Sequence, residues 1–395
     1  MSERVTVADA AELVRAVTVE GARLDADGVA DRWSRARWSA VAEPGDADAG
    51  RLIAALGAVA AGEALATVPA AELGERAGGA FEEALARWQP RLRQVDTALH
   101  LRQAARFGAR LVIPGDPGWP AGLDDLGPHA PSALWVRGDP GLLGRLDRSI
   151  AIVGARAATG YGEHVTIDAS SGLVDRGFAI VSGAAFGVDG AAHRAALASG
   201  GGTVAFLAGG VDRFYPSAHE SLLTRIVERG AVVSEVPCGV APTKWRFLQR
   251  NRLIAAASRA TVVIEAGWRS GSLNTAGHAA QLGRPLGAVP GPVTSSASAG
   301  CHRLIREYDA VCVTTAQEMA ELVDPSVATN PDPAEARPAR TRVRDALGRT
   351  GRDVEQLAAV AGMSVDAVRA ELGMLELDGL AVHGPTGWRR VTGAS

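Results

Sequence analysis

Between residues 107 and 323, short apolar runs alternate with stretches of helical spacing. The runs are Leu111–Ile113, Ala133–Val136, Ser149–Val153, Ala179–Val181, Thr203–Leu207, Val232–Val233, Thr261–Ile264 and Leu286–Val289. They are continuous rather than alternating, as strands covered on both faces must be, and the helical stretches between them fit βαβ crossovers. The pattern predicts an α/β fold: an extended Rossmann-like, doubly wound, mainly parallel sheet. Upstream, from 37 to 106, apolar positions such as Leu52, Ile53, Leu56 and Val59 recur at helical spacing, and Gly57 and Gly62 punctuate them. That predicts a small helical domain, either a helix-hairpin-helix type of nucleic-acid binder or a plain adaptor. Residues 1–36 are alanine-rich, charged and weakly patterned, which predicts partial order at best. Downstream, 324–340 carries Pro325, Pro331, Pro333 and Pro338 and reads as a linker. In 341–395 a helix ends at Gly362, Ser364 caps a second helix to Leu377, and a hairpin spans Leu380 to Val391, the plan of a winged helix.

Bulk composition narrows the partners. A 395-residue chain with 47% apolar residues has enough material for two or three cored domains. A net charge of −3 argues against a protein coated in nucleic acid, so such binding has to be local. Cys238, Cys301 and Cys312 show neither metal-ligand spacing nor an even count, which suits a reducing cytosol. No secretory pattern follows Met1–Arg4, and no apolar run approaches the roughly 20 residues of a membrane span. A cytoplasmic protein with no membrane contact is expected.

Against that acidic background, the chain's one lysine opens Lys244-Trp245-Arg246-Phe247-Leu248-Gln249-Arg250-Asn251-Arg252. Cations neutralise phosphates and aromatic faces accept unstacked bases, so the cluster suggests a single-strand-binding surface. Alone, it fits a solvated loop or a helix end equally well. Three loops at strand-to-helix junctions add context. Gly154-Ala155-Arg156 to Thr159 follows the run at 149–153. Its glycine spacing is wrong for a dinucleotide fingerprint and no acid ends the next strand, but Arg156 beside a helix start suits a phosphate. Gly183 and Gly187 permit close backbone approach. Asp189 is placed to cap the following helix and to pair with His193, in a structural role. The third loop brings Ser270, Gly271 and Ser272 to a helix start, and Glu265 lies at a strand's C-terminal end as an acceptor for a sugar or base, or as a partner for Arg156 or Arg250. No catalytic residues, metal ligands or cofactor site are expected, because no zinc-protease, serine-hydrolase or Walker motif occurs.

Taken in order, Gly154-Ala155-Arg156, Ser182–Asp189, Leu207–Pro216, Ser234-Glu235, Phe247–Arg252, Ser270–Leu273 and Pro290-Gly291 resemble the DNA-processing protein A (DprA/Smf) family over roughly 105–315. The flanking helical segment and winged helix look like that family's flanking domains. The resemblance implies a non-enzymatic protein that binds single-stranded DNA and loads the RecA recombinase in natural transformation or related recombination, commonly as a homodimer. By motif, DNA would meet Arg156, Lys244, Trp245, Phe247, Arg250, Asn251 and Arg252, with phosphates held by the loop glycines, Thr159 and Ser270–Ser272. Three departures stand out: Leu248 replaces the family's proline, Ala155 replaces a serine, and Tyr308-Asp309 replaces a glycine. The second helix of the winged helix carries Asp366, Glu371, Glu376 and Asp378 but only Arg369. That composition is unsuited to a major groove and implies a protein contact, with Arg389-Arg390 as its basic handle. Two other classes remain open, a nucleotide phosphoribohydrolase-type enzyme and a protein-binding adaptor.

Overall fold

Apolar runs without alternation bury both faces of a strand, and here they do so in a nine-stranded sheet. A computed structural model describes residues 6–326, 339–348 and 350–391. The chain divides into two compact units at Pro325–Ser326. Most of the segment read as a linker (327–338), like Met1–Arg4, lies outside the described residues.

The strands of the first unit are β1 (Arg110–Val112), β2 (Leu134–Gly138), β3 (Ser149–Val153), β4 (Ala179–Ser182), β5 (Thr203–Leu207), β6 (Ala231–Ser234), β7 (Ala260–Val263), β8 (Leu286–Ala288) and β9 (Val311–Cys312). Their spatial order is β1-β2-β6-β5-β4-β3-β7-β8-β9. All pairs are parallel except β1–β2 and β2–β6. Along β5, Val204 and Phe206 pack into one apolar core, with Leu253–Ala257 and Ala276, while Ala205 and Leu207 pack into the other, with Leu197 and Leu223. This two-residue period feeds two helical layers from one strand. Winding runs outward from β3 through β4, β5 and β6, and restarts beside β3 with β7, β8 and β9. The boundary between β3 and β7 is therefore the switch point, where open α/β sheets leave a crevice at their carboxyl ends.

The N-terminal segment departs from the expected weak order. Helices Val7–Val17 and Ala26–Val41 are capped by Thr6 and Asp25. Val14 and Val17 are fully buried with Leu101 and Leu111, and Thr18 bridges to Leu111 at the sheet edge. Arg32 is buried with both terminal guanidinium nitrogens on Asp116. These partners lie some eighty residues away, so the local pattern carried no sign of them. The second of these helices runs straight through position 36. Helices Ala47–Leu56, Ala58–Thr67, Ala70–Ala77 and Glu82–Leu92 close over Trp38, Leu52, Phe81 and Trp88, with Trp38 and Trp88 edge-to-face at 5.4 Å.

In the second unit, helices Ala339–Ala346, Val354–Ala361 and Val365–Leu377 and a hairpin of β10 (Ala381–Gly384) and β11 (Gly387–Arg390) enclose Val343, Leu357, Val368, Leu372 and Leu375. Gly362 makes the left-handed turn and the Ser364 hydroxyl accepts from the Ala367 amide, as the sequence predicts for a winged helix.

Candidate nucleic-acid interface

The three glycine-bearing loops meet at the switch point because each fastens the next. After β3, the loop leads through Thr159, the N-cap of helix Gly160–Asp175. Thr159 donates its amide and hydroxyl to the Glu265 carboxylate at 2.9 and 2.6 Å, and Ala155 donates its amide to the Glu265 carbonyl at 2.7 Å. Glu265 is 2% exposed and pairs with neither Arg156 nor Arg250, so the arginine partnership expected from sequence is replaced by Thr159. A Cβ at Gly162 would overlap that carboxylate, which explains the glycine there.

The loop after β4 is bound to the first. The Val188 amide donates to the Ala155 carbonyl at 3.2 Å. Gly187 has φ +70°, and a Cβ on it would collide with the carbonyls of Ala155 and Arg156. Asp189 does not cap the helix Val188–Ala198. It turns back to accept from the amides of Gly183 (3.2 Å) and Ala185 (3.4 Å). Burial raises its pKa, with the charge of Arg250 opposing. The expected Asp189–His193 pair is absent. His193 Nδ1 lies 2.7 Å from the Thr203 hydroxyl, which donates to the Ile180 carbonyl and so accepts from the imidazole. Its Nε2 has no partner, and burial foremost lowers its pKa to about 3. In the third loop the Ser270 and Ser272 hydroxyls are 2.7 Å apart at the start of helix Ser272–Gln281. Gly271 offers no side-chain cap, and the first amides are satisfied locally: Ser272 donates to the Ser270 hydroxyl at 3.4 Å, and Leu273 and Asn274 donate to the carbonyls of Ser270 and Gly271 at 3.2 Å.

The basic cluster forms the first turns of a helix, Lys244–Ala257, capped by Thr243. Its second half, Leu253–Ala257, belongs to the core. The arginines divide accordingly. Arg252 is 3% exposed, makes a two-point ion pair with Glu235 at 2.8 and 2.7 Å, and donates to the His129 carbonyl at 3.0 Å. Arg250 is buried and donates to the carbonyls of Gly183 (2.8 Å) and Phe206. Burial lowers its guanidinium to about 10, with Asp189 working against that shift. Both arginines brace the fold, Arg252 away from the cleft and Arg250 as part of its lining. Arg246 grips Glu43 at 3.0 and 2.9 Å. Lys244 is exposed and forms no ion pair among the described residues.

Phe247 is half-buried beneath two guanidiniums, Arg156 at 5.2 Å and Arg250 at 5.8 Å from the ring centre, with Tyr215 tilted against it at 5.6 Å. The Asn251 side chain takes a bond from Arg250 and gives one to Asn274, both at 3.2 Å. Between these groups and the loops lies a cleft of about 470 Å³, lined by Gly154, Arg156, Phe247, Asn251 and Ser270–Ser272. Trp245 points away from it. Arg269 lines the cleft and Tyr215 supports Phe247. Neither was among the expected site residues, though Arg269 adjoins Ser270 in sequence. Asp309 takes φ +51° where the resembled family has glycine, a conformation aspartate tolerates better than most side chains. Among the described residues no His, Cys, Asp or Glu cluster is built to hold a metal, and no helix is long and apolar enough to cross a membrane.

The chain is similar to known proteins over most of its length. The family model for DNA recombination-mediator protein A matches residues 110–324, and the DprA winged helix domain matches 327–387. A Mycobacterium tuberculosis protein carrying the DNA processing protein DprA name is 43% identical over 370 residues, 89% of this chain and 92% of that one. Protein Smf of Escherichia coli is 34% identical over 341 residues, covering 78% and 90%. The X-ray structure of DprA from Streptococcus pneumoniae superposes with a TM-score of 0.59 at 32% identity, covering 73% of this chain and 95% of the other. DprA from Helicobacter pylori, whose structure was described for its single-stranded DNA binding mode, superposes at 0.50 and 29% identity, covering 54% and 95%.

Proposed function

The chain belongs to the DNA recombination-mediator protein A (DprA) family, and from that premise we propose that it binds single-stranded DNA in the switch-point cleft without catalysing a reaction on it. The observation that carries the reading is the fusion of three loops at the carboxyl end of the sheet with a cleft wall formed by Arg156, Phe247 and Asn251, beside which Lys244 opens the same helix. The Ser270 hydroxyl, at the mouth of the cleft, takes a phosphate oxygen, and Arg156, Arg269 and Lys244 neutralise the strand. With guanidiniums already over Phe247, a base stacks on the outer plane of Arg156, and the Arg156–Phe247 pair acts as one platform. No base is read by its edge, so binding tolerates any sequence.

A phosphoribohydrolase-type enzyme needs a free carboxylate in this cleft. Glu265 is committed to Thr159, and Asp189 to the Gly183 and Ala185 amides. That weighs against the enzyme reading. We further propose that the bound strand is handed to the RecA recombinase in the cytoplasm, with the chain acting as a homodimer.

Fluorescence anisotropy with oligo-dT at low and high salt tests the site. Arg156→Ala and Lys244→Ala should each weaken binding and reduce the slope of log affinity against log salt by about 0.7 per lost phosphate contact. Unchanged affinity and slope in both variants would place the strand elsewhere.

A further inference from the structure

We propose that a strand leaving the switch-point cleft turns over Lys244 into a second subsite for single-stranded nucleic acid. This subsite is built between the far face of the helix Lys244–Ala257 and the helix Glu82–Leu92. The inference rests on the reading of the first cleft as a single-strand site.

A helix turns about 100° per residue, so Phe247, Asn251 and Ile254 share one face while Trp245 and Gln249 lie on the opposite one. The first face lines the switch-point cleft. The second lines a separate cleft of about 520 Å³, whose other wall carries Arg87, Trp88 and Arg91. The helix is about 10 Å across, and Lys244 stands exposed at its tip between the two clefts. Both flanks of one helix end are thus walls of open clefts, and the cation at its tip is the shortest bridge for a polyanion.

The chemistry of the second cleft suits the same strand. The Trp245 indole is 57% exposed, a large aromatic left uncovered beside arginines. The carboxylates nearby are already engaged. Glu43 takes Arg91 and Arg246. Asp46 accepts from the Asp48 and Ala49 amides and the Trp88 indole. Asp48 takes Arg51 and Arg87. The lining itself holds two guanidiniums, Arg87 and Arg91, and these three carboxylates, and only with the ion-pair partners Arg51 and Arg246 and the Lys244 tip do cations outnumber acids around it. The side chain of Arg87 is 51% exposed while its partners Asp46 and Asp48 are 8% and 22% exposed, so the outward layer is cationic. An exposed indole flanked by guanidiniums stacks a base and holds its phosphates, whatever the base.

The test uses the full chain and two oligo-dT probes, one of about 5 nucleotides that fits the first cleft and one of about 16 that spans both. The readout is the ratio of the two affinities. Trp245→Ala should lower that ratio about fivefold or more, the loss expected for one stacked base, and Trp245→Phe should restore most of it. Arg156→Ala should weaken both probes by a common factor and keep the ratio. Photo-crosslinks from a 4-thiothymidine at the far end of the long probe should fall on the helix Glu82–Leu92. A ratio untouched by Trp245→Ala, with crosslinks elsewhere, overturns the second subsite and leaves the first standing. Failure of the unaltered chain to bind either probe overturns both.

Discussion

Arg252→Ala should unfold this protein more readily rather than simply strip it of a DNA contact. The guanidinium is buried, gives two bonds to Glu235 at 2.8 and 2.7 Å and a third to the His129 carbonyl, and the Glu235 side chain is itself only 11% exposed. Truncation leaves an unpaired carboxylate between the core helix and the β6 end, a change that typically costs about 3–5 kcal/mol. Against a typical stability of about 5–15 kcal/mol, that is a large fraction, equivalent to a melting point lower by on the order of 5–10 °C. Circular dichroism melts of the chain and its variants measure it directly. Removing the stranded charge as well, in Arg252→Met with Glu235→Leu, should recover much of the loss, since an apolar pair fills the volume without an unpaired ion. An Arg252→Ala protein that melts with the parent but binds oligo-dT more weakly, with a shallower salt slope, would show Arg252 to be a phosphate ligand and refute the structural assignment.

Two further outcomes follow from the loops. Gly187→Ala forces a Cβ onto the Ala155 and Arg156 carbonyls at a φ unsuited to alanine. It should cost about 1–3 kcal/mol and weaken oligo-dT binding by displacing Arg156, and unchanged affinity in titration would contradict the proposed role of that loop. His193, held near pKa 3 in the fold against about 6.5 when unfolded, is protonated earlier in the unfolded chain. Its contribution to stability is therefore complete above about 6.5 and declines as the pH falls towards 3, with Asp189, whose pKa is raised, opposing the trend. His193→Gln should flatten the pH dependence of the melting point in that window, and a slope identical to the parent's would exclude His193 as its source.

How much was legible beforehand depended on whether a residue's partner was local. The strands β3 to β8 announced themselves as continuous apolar runs because the sheet is covered on both faces. β9 did not, since Val311 and Cys312 are both exposed and only two residues long. The winged-helix turn was legible because Gly362 and Ser364 satisfy local rules. Arg250 and Arg252 looked like binding residues because composition records a charge and not its destination. Their acceptors are supplied by Gly183, Phe206, His129 and Glu235, brought in by the sheet. An i to i+4 spacing made an Asp189–His193 bond plausible, but two unpaired loop amides drew the carboxylate away and Thr203 took the imidazole.

The helix Lys244–Ala257 is anchored in the core at one end and presents the candidate interface at the other. Its rotational phase is thus set by Leu253–Ala257, and every exposed side chain inherits it. One residue inserted or deleted between Thr243 and Arg250 would rotate the basic turn by about 100° against the buried half. Phe247 would leave Arg156, and Arg246 would leave Glu43, without any change in composition. Single substitutions along this turn are separable experiments, but its length is not adjustable. The number of residues in this turn is therefore constrained separately from, and in addition to, their identities.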